Sequence, residues 1–110
     1  MIIECLEFLG TSTKYIGYNY LVDTTLLYES GIRKNKKVLL GKLLNEISNK
    51  YNTKYTSVEK DERVCIDGIF RYGNIDNISV VFNNISGYYD ERPSLKLFIT
   101  TLINYLYKEK

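Results

Sequence analysis

Residues 47–76, ISNKYNTKYTSVEKDERVCIDGIFRYGNID, constrain this chain more than any other stretch. Val58, Cys65, Ile66, Ile69 and Phe70 recur at helical spacing, and a second apolar set ends near Tyr51. The pattern predicts a short amphipathic helix, a polar turn and a longer helix. Thr56 and Glu59 have the S/T-x-x-E spacing of a capping box, in which two side chains satisfy backbone donors at a helix start. Gly73 stands where a left-handed residue would end the second helix. The intervening Asn52, Thr53, Lys54 and Tyr55 have the length of a helix-turn-helix turn. In that unit the second helix is the usual reader of a DNA major groove.

The flanks are also helical in pattern. Residues 3–9 carry Ile3, Leu6 and Leu9 on one stripe, and the GTST at 10–13 reads as a turn. Tyr18, Leu21, Val22, Thr25 and Leu26 predict a long helix closed by Gly31. A basic connector follows (Arg33, Lys34, Asn35, Lys36, Lys37), then Val38, Leu40, Leu43, Leu44 and Ile47 mark one or two helices. Pro93 and Ser94 open a last helix through Tyr107, with Leu95, Phe98, Ile99, Leu102, Ile103 and Leu106 inward. Residues 75–82 are ambiguous, because Ile78, Val80 and Val81 favour a strand by β-branching. A winged helix-turn-helix, with 78–82 and 85–89 as a hairpin, is the competing picture.

Composition permits these elements without naming a function. A chain of 110 residues with 45% apolar content is read as one domain, 1–110, able to fill a core without disulfides. Cys5 and Cys65 lie far apart and match no metal spacing, so two free thiols in a reducing cytoplasm are expected. No run approaches the roughly 18 apolar residues of a membrane span, and the start MIIE lacks a basic signal-peptide region. The net charge of +2 and pI of 8.4 are mild for a nucleic-acid binder, which often exceeds about 9. Catalysis is not expected: there is no histidine and no glycine-rich phosphate loop. No cofactor and no metal is expected either.

Several motifs together resemble the C-terminal DNA-binding effector domain of the stage-zero sporulation protein A family of response regulators. They are GYNYL at 17–21, KYNT at 50–53, SVEK at 57–60 and RYGNIDNIS at 71–79, with Phe82 and the Pro93-Ser94…Phe98-Ile99 run downstream. The likeness runs from about Leu9 to Leu106, with one small length change near residues 30–35. It implies an all-α fold of about six helices around a helix-turn-helix, and resolves residues 75–82 as a short helix. It also implies sequence-specific binding of double-stranded DNA, with domains in tandem or as a homodimer. The family's receiver domain is not in this sequence, and the Met1 start is expected to mark a stand-alone protein without control by its own phosphorylation.

Carried over residue by residue, the resemblance assigns base contacts to Glu59, Lys60 and Arg63. A carboxylate can accept from cytosine N4, and Arg or Lys can donate to guanine O6 and N7. Lys60 replaces an arginine and lacks its rigid fork. Lys50, Thr53, Lys54 and Ser57 are expected at the turn, against phosphate. The departures matter equally. Val64 replaces a polar residue, Asp61 and Glu62 stand where small and branched apolar residues are expected, and Asp90-Glu91-Arg92 replaces a lysine-rich connector. Placed beside a phosphate path, these carboxylates predict weak binding to the family's usual DNA box. The cluster of Arg33, Lys34, Lys36, Lys37 and Lys42 is a displaced nucleic-acid contact or a solvated connector. The tyrosines at 15, 18, 20, 28, 105 and 107 are expected in the core and its boundary, an aromatic protein-contact patch being the sharper alternative. Two functions are open: a stand-alone transcriptional regulator, or a protein-interaction module that kept the fold and modulates a full-length sporulation regulator.

Overall fold

The structure, a computed structural model, describes residues 1–82 and 92–108. Six α-helices follow in order: α1 Ile2–Phe8, α2 Gly17–Arg33, α3 Leu40–Lys50, α4 Tyr55–Tyr72, α5 Ile75–Phe82 and α6 Leu95–Lys108. No strand occurs among the described residues. The fold is all-α, as expected, and the first half of the alternative wing hairpin is helix α5. Its second half, 85–89, lies outside the described residues. Among those described, no helix is long and apolar enough to cross a membrane.

Three of the helix ends share one device. At Gly10 (φ 85°), Asn35 (φ 58°) and Asn52 (φ 53°) the chain turns left-handed. The next amide then reaches back five residues: Thr11 N to Leu6 O at 3.0 Å, Lys36 N to Gly31 O at 2.9 Å and Thr53 N to Ser48 O at 2.9 Å. These are Schellman closures, and asparagine is the residue after glycine that best tolerates such a backbone. The sequence reading placed the end of α2 two residues early and, at the end of α4, found the right residue with the wrong backbone conformation. Helix α2 passes through Gly31 and ends at Arg33, and Gly73 is extended (φ −76°, ψ −174°) instead of left-handed. Both glycines serve close approach. A Cβ on Gly31 would stand 2.6 Å from Val38 Cγ2, and one on Gly73 would run into the carbonyl oxygens of Ile69 and Leu9.

Helix α5 forms despite its β-branched residues because position outweighs propensity. Asn74 Oδ1 accepts from the Asn77 amide at 3.0 Å, closing the helix start. Ile78, Val81 and Phe82 then fall on one buried face. Phe82 stacks on Phe98 of α6 with centroids 5.4 Å apart and meets Phe70 of α4 at 5.6 Å. In α1 the buried set is Ile2, Cys5 and Leu6, while Ile3, expected inside, is half exposed. Leu26 of α2 likewise faces outward.

Ser94 behaves as the sequence suggests, its hydroxyl accepting from the Leu97 amide at 3.1 Å ahead of α6. Ser94→Ala removes that cap, and the expected cost is about 1 kcal/mol, read as a lower urea midpoint.

Candidate nucleic-acid interface

Helices α3 and α4 are joined by the turn at 51–54 and seated on α2. The turn owes its shape to the Asn52 closure. Its angle is held by a latch to α2: Lys50 Nζ and the Tyr51 hydroxyl both donate to Asp23 Oδ2, at 2.7 and 2.6 Å. The Tyr51 ring also meets Tyr20 edge-on, with centroids 4.8 Å apart. The hydrogen bond to Asp23 raises the pKa of both Lys50 and Tyr51. Lys50, expected against phosphate, is thus engaged within the fold.

Helix α4 starts two residues before the capping box requires. Its N-cap is Lys54, and no side chain closes its first turn. Thr56 lies inside the helix, and Glu59 reaches forward to Arg63 at 3.8 Å instead of back to the helix start. The Ser57 amide closes on the Lys54 carbonyl at 3.0 Å, and no side chain caps the amides of Tyr55 and Thr56 before it, beside exposed Lys54 and half-buried Thr53 and Ser57.

Two faces of α4 divide cleanly. Val58, Glu62, Cys65, Ile66 and Ile69 point into the molecule. Thr56, Glu59, Lys60, Arg63, Val64 and Asp67 line one open depression on the other side. The sequence-derived base-contact set, Glu59, Lys60 and Arg63, is brought together there. Asp67 was missed, although it continues the same i, i+4 series from Arg63. It holds two cations, accepting from Arg71 Nε at 2.7 Å and Arg92 Nε at 3.0 Å. Val64 is 45% exposed in the middle of this surface.

The acidic departures are redistributed. Glu62 is not beside any outer path: it is fully buried (0% exposed) against α2. Its Oε2 accepts from the Thr24 hydroxyl at 2.8 Å, and its Oε1 has no partner. Burial pushes its pKa up to about 8, with the charges of Asp23 and Glu59 adding to the rise against the Thr24 bond. Asp61 is half-buried, with its backbone packed under Gly17 of α2. Asp90 and Glu91 lie outside the described residues. Cys5 and Cys65 are free and buried, and desolvation lifts both thiols to about 11, far from reactive thiolate.

A compact α2–α3–α4 unit, closed by a tight turn and leaving the outer face of its last helix open, defines a helix-turn-helix domain. Residues 2–106 match the family Sporulation initiation factor Spo0A C terminal, and the chain belongs to that family. It is a family of DNA-binding effector domains in sporulation-related transcription regulation, and not one of enzymes. No curated protein matches the chain.

Proposed function

We propose that this protein is a cytoplasmic transcriptional regulator that reads duplex DNA with the outer face of α4. The convergence of Glu59, Lys60 and Arg63 on one open face, opposite the buried stripe, carries this reading. Arg63 donates to a guanine edge, Lys60 supplies a second donor, and Glu59 accepts from cytosine. The uncapped first turn of α4, with Lys54, Thr53 and Ser57, receives a phosphate, since free amides and the helix dipole both favour an anion. Lys50 contributes through its latch to Asp23, which sets the angle of the turn, more than through direct phosphate contact.

Selection of bound sequences from random duplexes, followed by fluorescence anisotropy across a salt series, tests the reading. Arg63→Ala is expected to cost about 1–3 kcal/mol and to relax preference at one base position. The log–log salt slope is expected near −0.9 for each phosphate contacted. Unchanged binding by Arg63→Ala would remove α4 as the reader.

One observation favours a second reading. On the outer face, Glu59 offsets Arg63, while Asp67 offsets both Arg71 and Arg92. With Val64 exposed between them, this surface is less cationic than a phosphate-tracking face. A module that docks on a full-length sporulation regulator and blunts its action would present such a surface. Absence of binding to any selected duplex, with retention of the regulator in a pull-down, would establish it.

A further inference from the structure

We propose that the groove between the end of α2 and the start of α3 is a docking site for an acidic peptide segment carrying one large apolar anchor. The groove, about 340 Å³, runs between Leu27 of α2 and Leu39 and Leu43 at the start of α3, with Val38 in its floor. Leu27 is 37% and Leu39 45% exposed. One exposed leucine needs no explanation. Two that face each other across a depression form the apolar centre that recognition surfaces use. The shape is built in. Asn35 turns the chain back on itself, and Gly31 leaves the space into which Val38 settles.

The rim decides the chemistry of the occupant. Lys36, Lys37 and Lys42 line the groove against a single acid, Glu46. Every arginine of the chain stands within ion-pair distance of a carboxylate: Arg33 with Glu29, Arg63 with Glu59, and Arg71 and Arg92 with Asp67. Among the described residues no such pair involves Lys36, Lys37 or Lys42. Three cations without such a pair among the described residues, against the one carboxylate of Glu46, are matched by carboxylates flanking a leucine or aromatic anchor. Phosphate would satisfy the lysines alone and leave the leucines wet, which favours a peptide over a nucleic acid. The apolar anchor supplies affinity, and the charges supply orientation and encounter rate. The site is separate from the outer face of α4 and does not rest on its reading.

The test is selection of binders to the full chain from a displayed random peptide library, with fluorescence anisotropy on the synthesised winners. Enrichment of Asp and Glu around Leu, Ile or Phe is expected. The double change Lys36→Glu/Lys37→Glu is expected to weaken these peptides by about tenfold or more, as charge reversal at an interface does. Leu39→Asp is expected to do the same, with circular dichroism and thermal midpoint unchanged because all three residues are exposed. Amide shifts on peptide addition are expected to centre on residues 27–46. Failure to enrich any binder, winners without acidic residues, or equal affinity for the charge-reversed variant would each overturn the proposal. So would a fall of similar size in duplex binding by that variant, which would turn the lysines toward DNA. A concentration-dependent dimer abolished by it would assign the groove to a second copy instead. Arg63→Ala serves as the separate probe of the α4 reading, so failure of one leaves the other standing.

Discussion

Replacing Thr24 by valine and Glu62 by leucine together is expected to raise the urea midpoint, by an amount that grows with pH. Glu62 is buried between α2 and α4 with one hydrogen bond and one orphaned oxygen, and its pKa is lifted from 4.5 to about 8. A carboxyl whose folded pKa lies above its unfolded value holds a proton that the unfolded chain releases. Its contribution to stability is complete below about 4.5, declines as pH rises, and is lost by the time pH passes about 8. At about 1.4 kcal/mol per pKa unit, the loss over this window amounts to a few kcal/mol. Removing both partners leaves no stranded hydroxyl, and swaps of buried ionic groups for apolar ones of similar volume gain roughly 1–4 kcal/mol. The gain should be near its full size at pH 8 and smallest near pH 4.5. A gain that does not vary with pH would show that Glu62 does not titrate within the fold. Because Arg63 is the residue next to Glu62 on α4, a firmer α2–α4 seat is also expected to preserve duplex binding at alkaline pH.

Gly17→Ala is expected to be the most damaging small substitution in the chain. Gly17 opens α2 directly against the backbone of α4, where a Cβ would overlap the Asp61 carbonyl and lie 2.8 Å from the Glu62 amide. Backbone cannot step aside as a side-chain tip can, so α2 and α4 must separate. Overpacking of this kind costs about 3 kcal/mol or more. The displaced helix is the one that bears Glu59, Lys60 and Arg63, so duplex binding should fall with stability. Gly41→Ala is the internal control. Its Cβ, on α3, would meet only the Tyr55 hydroxyl at the start of α4, at 3.6 Å, an ordinary contact. There the better helix propensity of alanine should add about 0.5–1 kcal/mol. Equal urea midpoints for the two variants would mean that α2 does not touch α4 at Gly17.

These glycines account for part of the motifs by which the family is legible. GYNYL begins with the residue that lets α2 meet α4, and RYGN holds the residue that lets the end of α4 pass the carbonyl of Leu9. In the second case the residue was recognised and its reason was not. Gly73 looked like a left-handed stop, yet it is extended, and the left-handed stops fell to Asn35 and Asn52. Local rules identify residues that permit a positive φ; they do not say which neighbouring backbone will approach.

The helix-turn-helix was readable from spacing, because a 3.6-residue period assigns faces before any partner is known, whereas the count of about six helices and the set Glu59, Lys60 and Arg63 came from the resemblance to the family. Three things required the packed molecule. The capping box dissolved because α4 begins at Tyr55, where the Asn52 turn delivers the chain. Lys50 became a latch because Asp23, distant in sequence, lies beneath it. Glu62, whose charge suggested an outer surface, sits at the centre of the α2–α4 seam with Thr24. Its helical phase already pointed inward alongside Val58 and Ile66. Only the neighbouring helix could decide that a carboxyl would be held there, neutral for much of the accessible pH range, instead of turning the helix outward.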